Sequence, residues 1–308
     1  YGRGNAAGVN FSYVYEKELS GTAGGLKKCE HFFYEKETFV VISGDALTDI
    51  NLENFVGKHK DSGAIASMAL KKIPLCDVKN FGVVVLDENS KVTGFQEKPS
   101  INEAKSNLVN TGIYVFEPEI FDFIPPNTFY DFAKDVFPSI IANNQPLYGF
   151  EIDDYWSDIG TINQYKMSLF DILQNKINVS LSFNKNGRLW YKDTCKIGNN
   201  MFFDGNIAIG HKSIIHDNVK LHGNCVIGNN CIVENDVQIR NSIIWDNVII
   251  EKGAIIDGCI ICNNAKVGRD AVVLPGYIIP DACHISNKEK LFNVVKLKPE
   301  NKYDSINI

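Results

Sequence analysis

Two patterns predict an α/β domain followed by a parallel β-helix. Over the first half of the chain, short apolar strands alternate with helical patterns. From Lys196 onward, aliphatic residues recur every six positions, as in a parallel β-helix of hexapeptide repeats. The 308 residues suffice for two domains of ordinary size. With 44% hydrophobic and 22% charged residues, the composition is that of a soluble globular protein. A net charge of −6 gives no electrostatic reason to expect nucleic acid or an anionic membrane as a partner. No apolar run approaches the roughly 20 residues of a membrane span, and the opening residues lack a signal-peptide pattern. The expected location is therefore the cytoplasm. The eight cysteines are scattered through apolar patterns and read as buried thiols of a reducing compartment. Only Cys259 and Cys262 have metal or redox spacing, and no second such pair accompanies them.

The first stretch with period-two alternation is Val9 to Tyr15, which predicts a strand. Glu16 and a Gly-rich turn, Gly21 to Gly25, then lead into a short helix from Leu26 to His31. Glycines before a helix let backbone amides approach a ligand, and the helix start favours anions. The domain is organised around Phe39 to Ile42, a strand apolar on both faces, which predicts a parallel sheet covered by helices. It ends in Ser43-Gly44-Asp45. In open parallel sheets ligands bind at the carboxyl ends of strands, where Asp45 could hold a divalent cation against phosphates. The competing reading makes Asp45 the cap of the next helix.

That helix is expected over Leu52 to Lys60, with Phe55, Val56 and His59 at helical spacing, and Asp61-Ser62-Gly63 stops it. Strands are expected at Ala64–Lys71 and Phe81–Leu86. A turn at Asp87–Ser90 leads to another at Lys91–Phe95, which delivers Glu97-Lys98-Pro99. Val109 to Phe116 forms a buried strand with Asn110 and Thr111 at its entrance. Helical patterns cover Pro118–Phe123 and Tyr130–Ala142, and a strand covers Leu147–Ile152. Thr161 is a good N-cap for a helix from Ile162 to Leu173.

The hexapeptide series runs Ile197, Phe203, Ile209, Ile215, Leu221, Ile227, Val233 and Ile239. After a one-residue slip it resumes at Ile250 and Ile256, and after another at Val267, Val273 and Ile279. Second inward positions fall at Val219, Cys225, Cys231, Val237, Ala254 and Ala271. The domain boundaries expected are 1–175, a linker 176–195, the β-helix 196–284 and a tail 285–308.

Several stretches, in this order, resemble the motifs of the sugar-1-phosphate nucleotidyltransferases that carry a C-terminal left-handed β-helix. They are Gly21–Leu26, Ile42–Asp49, Phe81–Val84, Glu97–Pro99, Asn110–Tyr114 and Trp156–Gly160. The nearest look is that of mannose-1-phosphate guanylyltransferase-like members, some of which are fused to a phosphohexomutase domain. The resemblance implies a Rossmann-like mixed sheet for the first domain. It also implies transfer of a nucleotidyl group from a nucleoside triphosphate to a sugar 1-phosphate, with release of pyrophosphate.

The resemblance also assigns roles. Asp45 and Asp158 would share Mg2+ across the phosphates, and Lys98 would neutralise the sugar phosphate. Glu97 would accept from sugar hydroxyls. Gly82 would let backbone approach the sugar ring, with Asn110 and Thr111 bordering the pocket. Gly44 belongs to the Asp45 loop, and Glu16, Gly21 and Thr22 would face the base. A carboxylate is an acceptor-only group that matches the two adjacent donors of guanine, so Glu16 predicts GTP, with mannose 1-phosphate as the sugar. Glucose 1-phosphate adenylyl, thymidylyl or uridylyl transfer is the alternative. Structural readings stay open beside these: Glu97 and Lys98 as a solvated turn, Asn110 as a strand-edge polar residue, Asp158 as a cap for the following helix.

The sequence departs from the family at its start. The Gly-rich loop of type GGxGTRLxPLT, which grips the triphosphate, does not appear. The expectation is a fragment of a longer protein, by itself inactive. A non-catalytic regulatory subunit is a second possibility. A third makes the β-helix an acyltransferase with His211, His216, His222 or His284 as base, though no long loop interrupts the repeats. The β-helix is more naturally an assembly module, and a homo-oligomer through its flat faces is expected.

Overall fold

The computed structural model describes residues 2–4, 8–33 and 37–292. The chain forms two compact units, Tyr1–Gly160 and Thr161–Ile308.

Among its described residues, the first unit begins without a strand. Val9 to Tyr15 has no regular structure, Tyr13 is 71% and Tyr15 85% exposed, and the segment joins no sheet. Alternation alone does not make a strand where no ladder receives it. Helix α1 (Gly21–Lys28) starts inside the Gly-rich turn, earlier than expected, and is followed by a 3-10 turn at Glu30–Phe32. Strand β1 (Phe39–Ile42) leads through Ser43–Asp45 to a short strand β2 (Ala46–Thr48), then helix α2 (Leu52–Ser62). The cap of α2 is Asn51, whose side chain accepts from the Asn54 N–H, and Gly63 ends the helix in the left-handed region.

Strands β3 (Ala66–Lys72), β4 (Gly82–Leu86), β5 (Val92–Glu97), β6 (Leu108–Phe116) and β7 (Leu147–Glu151) complete the main sheet in the order β5-β4-β6-β3-β7. Only β3 and β7 pair in parallel; every other ladder of this sheet is antiparallel. The parallel environment expected for β1 is therefore corrected. It pairs antiparallel with the end of β6, and Ile42 is 44% exposed.

Strand β6 is the spine of the sheet. One edge pairs along its length with β3. The other is shared end to end: β4 covers Leu108 and Val109, and β1 covers Ile113 to Phe116. Asn110, Thr111 and Gly112 fall in the gap between them. The two faces of β6 bury different cores. Tyr114 and Phe116 pack with Phe39, Met68, Phe132 and Phe137, while Ile113 and Val115 pack with Phe55, Ala69 and Ile152. Within the Tyr130–Ala142 pattern the structure has a π turn at Phe132–Val136, then helix α3 (Phe137–Ala142). Pro118–Phe123 is 3-10 rather than α. Strand β8 (Trp156–Asp158) leaves the main sheet and pairs with β2.

The second unit opens with helix α4 (Ile162–Leu173), capped by Thr161 as expected. Strands β9 (Asn184–Asn186) and β10 (Leu189–Tyr191) lead into coils of short strands stacked in three parallel sheets, the last among the described residues being Lys290–Leu291. Ile244 and Ile261, buried to 0%, fill the inward place at each apparent slip of the series. The coil shortens there at the corners before Ile243 and Ile260, so successive coils stand 17 rather than 18 residues apart, as at Asn229 and Asp246. Corner residues such as Asn230, Asn247 and Asn264 adopt positive φ, which Asn tolerates. Their amides also bond from coil to coil, at 3.2 Å for Asn230 to Asn247 and for Asn247 to Asn264. Helix α4 covers one outer face: Phe170 packs on Ile243 and Ile260, and the Trp245 Nε1–H donates to the Tyr165 hydroxyl.

Candidate active site

The two aspartates come together through a two-stranded ribbon. In the β2–β8 pair, Ala46 lies opposite Asp158, and the Ile159 N–H donates to the Asp45 carbonyl at 2.9 Å. Residues 113 positions apart thus project from neighbouring points of one ladder (158 − 45). Neither acts as a helix cap, since Asn51 and Thr161 fill those places. Burial, then the neighbouring Asp45 charge, push the Asp158 carboxyl above the usual carboxylate range, against a smaller opposing pull from Lys98.

The pair borders a cavity of about 300 Å3 that opens at the gap in β6. Its lining includes Thr22, Ser43, Asp45, Glu97, Asn110, Thr111, Gly112, Tyr114, Asp131, Lys134 and Asp158, with Phe81 and Trp156 supplying aromatic surface. Gly112 bends the strand at φ +75°, and its carbonyl accepts from the Ser43 N–H at 2.9 Å. A Cβ on Gly112 would lie 2.5 Å from the Ser43 Oγ, so the gap requires glycine. The Asn110 Nδ2–H donates to the Tyr114 hydroxyl at 2.8 Å, and its Oδ1 accepts from the Gly112 N–H. The Thr111 hydroxyl points into the sheet and donates to the Ala69 carbonyl, while its own carbonyl accepts from Trp156 Nε1–H at 3.0 Å. Thr22 bonds Asp131 Oδ2 at 2.9 Å and accepts from the Phe132 N–H, tying α1 to the π turn.

The structure thus brings together Asp45, Asp158, Glu97, Asn110, Thr111 and Thr22 of the expected residues. Lys98 stands beside Asp158 electrostatically, half-exposed, with its Nζ 3.6 Å from Glu97 Oε1. Its φ of +47° is uncommon for a residue with a side chain. Gly82 is opposite Glu97 in the β4–β5 ladder, and a Cβ there would lie 2.5 Å from the Phe95 ring. Gly21 begins α1 at φ +77°, where a Cβ would meet the Tyr130 carbonyl at 2.4 Å. Both glycines are required by packing. Gly44 has open space around it.

Glu16 is not in the cavity lining. Its carboxylate accepts from the Ser20 hydroxyl and from Lys28 Nζ at 2.8 Å, and these bonds, Lys28 first, hold it below the usual range. A larger cavity of about 530 Å3, lined by Glu30, His31, Phe33 and Asp122 among others, contains no expected site residue. In the β-helix, His211, His216 and His284 are exposed, and His222 pairs with Asp204 at 2.8 Å.

Sequence reasoning missed Tyr114, Asp131, Lys134, Phe81 and Trp156 as cavity residues. Tyr114 is 6% exposed and reads as core in an apolar strand; burial pushes its phenol up, so it stays a neutral donor. Asp131 had a legible signal, an Asp opening a helical pattern. Its Oδ1 accepts from the Ala133 and Lys134 N–H groups. For Lys134 no spacing argument exists.

A mixed sheet brings two carboxylates together over a polar cavity, and a β-helix follows it in the chain. Residues 1–175 match the nucleotidyl transferase family, and the chain belongs to it. Residues 186–291 match the EIF2B subunit epsilon LbH domain, a left-handed β-helix. A UTP–glucose-1-phosphate uridylyltransferase of Synechocystis sp. is 38% identical over 232 residues, covering 71% of this chain and 60% of that protein. A glucose-1-phosphate adenylyltransferase of Thermotoga neapolitana is 36% identical over 154 residues, covering 47% of this chain and 36% of that one. Another, of Clostridium acetobutylicum, is 30% identical over 189 residues, covering 56% and 49%. The chain thus spans 36% to 60% of the length of these curated relatives.

Proposed function

We propose that the whole protein transfers a nucleotidyl group from a nucleoside triphosphate to glucose 1-phosphate, with UTP the favoured donor and ATP second. The observation that carries this reading is the Asp45–Asp158 pair at the rim of a cavity that also holds Glu97, in a chain of the nucleotidyl transferase family. A sugar phosphate oxygen attacks the α-phosphorus in line; the new O–P bond forms as the bond to the pyrophosphate leaving group breaks. The protein's part is positioning and charge neutralisation.

The residues present fit magnesium. Two mutually repelling carboxylates suit a hard cation that keeps water and phosphate oxygens as its other ligands. Among the described residues no cluster of three or more His, Cys, Asp or Glu side chains offers a fuller cage. The ion would supply charge neutralisation at the phosphates. Glu97 would accept from sugar hydroxyls, and Lys98 would balance the phosphate.

Mannose 1-phosphate and GTP, expected from Glu16, give way to glucose 1-phosphate and UTP in this proposal. The relatives above are named for glucose 1-phosphate, and Glu16 spends its carboxylate on Ser20 and Lys28. An activity matrix of four nucleoside triphosphates against both sugar phosphates tests the assignment. Highest turnover with UTP and glucose 1-phosphate is expected; a GTP–mannose 1-phosphate maximum would overturn it.

Residues 186–291 match a domain named for a subunit, EIF2B epsilon, and a second reading is accordingly a non-catalytic subunit of a larger assembly. No turnover in any cell of the matrix, with the protein folded, would select it. Assembly with further copies through the β-helix belongs to either reading, and a monomer by light scattering would contradict it. Among the described residues no helix is long and apolar enough to cross a membrane.

A further inference from the structure

We infer that Lys134 binds the phosphate of the sugar 1-phosphate, an inference that rests on the function proposed above. Among the described residues, the cavity wall carries four carboxylates, Asp45, Glu97, Asp131 and Asp158, against one cation, Lys134. A phosphate monoester entering such a wall meets like charge unless cations face it. Lys98 lies outside the lining with its Nζ 3.6 Å from Glu97 Oε1, so it approaches a phosphate from the edge and leaves the wall itself to Lys134. Lys134 is exposed, and among the described residues its ammonium has neither hydrogen bond nor ion pair.

In the turn that carries Lys134, the ammonium stays open while the leading amides are bonded. Ala133 and Lys134 N–H donate to Asp131 Oδ1, Phe132 N–H to Thr22 Oγ1, and Asp131 N–H to Asp135 Oδ2. A helix start usually offers amides to an anion, but this one has spent them on its own side chains. The π conformation over Phe132–Val136 is a rare backbone state, held here by those bonds and by buried Phe132 and Val136. The Cα of Lys134 is therefore fixed while its flexible stem is free to follow a ligand.

The rest of the cavity says which anion. Glu97, the Tyr114 hydroxyl and the aromatic surfaces of Phe81 and Trp156 suit a polyol. A ligand with hydroxyls for these groups and one phosphate for Lys134 is a sugar phosphate.

Calorimetric titration of the whole protein with glucose 1-phosphate, in magnesium, is the test. It is run on the unsubstituted protein, Lys134→Met and Lys134→Arg, with thermal unfolding of each as a fold check. Removing a charged hydrogen bond should weaken binding by about tenfold to a hundredfold in Lys134→Met. Lys134→Arg should recover most of that, and glucose without phosphate should not distinguish the three proteins. In kinetics, KM for the sugar phosphate should rise while KM for the triphosphate stays. Equal glucose 1-phosphate binding by all three proteins would overturn the role of Lys134 and leave the proposed function standing. A loss confined to the triphosphate would also overturn it. No binding to the unsubstituted protein would sink both.

Discussion

At the scale of single residues, the Asp45–Asp158 pair carries an electrostatic strain that can be measured. The folded state holds the Asp158 carboxyl above its unfolded value, through burial first and Asp45 second. Folding therefore favours the protonated form. Stability from this group is greatest at acid pH and falls as pH rises from about 4 through the raised folded-state value. Asp45→Asn removes one source of the shift. Without magnesium at neutral pH, the melting temperature should rise by about 1–3 °C, and the gain should vanish near pH 4. Turnover should fall by at least about a hundredfold, and magnesium should no longer stabilise the protein. A melting temperature unchanged at every pH would mean the two carboxylates do not feel each other. Asp45 was legible because it follows a short apolar strand, and Asp158 through the resemblance of Trp156–Gly160 to a family motif. Tyr114 and Lys134 were not, since one looks like core and the other like surface until the fold places them at one cavity.

At the scale of elements, the site exists because β6 has an interrupted edge. Two strands share it, and Gly112 turns the chain between them. Gly112→Ala would put a Cβ on Ser43 Oγ in a left-handed conformation, at a cost of about 1–3 kcal/mol. Ser43 would have to move, and Asp45 two residues on would move with it. Denaturant unfolding should show that loss, and kcat should fall further than stability explains. Full activity in the variant would show that the gap does not position Asp45. Elements with a cap and a full apolar period, such as α4, were readable to the residue from sequence. The interrupted edge was not, because one of its two strands pairs from far along the chain, Phe39 with Phe116, while the other, β4, comes from nearby. The strand expected at Val9–Tyr15 failed for the same reason: alternation is local, but a ladder is not.

For the whole molecule, the cysteines report on both units at once. Cys225, Cys231 and Cys259 fill inward positions of the β-helix at 0% exposure, and burial pushes each thiol up to about 11. Their sulfurs also lie against coil carbonyls, as Cys231 does with Trp245 at 2.9 Å and Cys259 with Asp257 at 2.9 Å. A thiol that is neither ionised nor reachable reacts only when its coil opens. Cys76, in the turn after β3, is exposed. The spacing of Cys259 and Cys262 invites a redox or metal reading, but Cys259 points into the stack and both thiols are free. Alkylation at neutral pH, followed site by site by mass spectrometry, should therefore label Cys76 within minutes. Cys225, Cys231 and Cys259 should stay unlabelled until denaturant unfolds the β-helix, and then all three should react together, because neighbouring coils support one another in a stacked array. Early labelling of any one of the three would place that residue outside the core and break the inward register of its sheet. Separate labelling midpoints would instead show that the coils open independently rather than as one body.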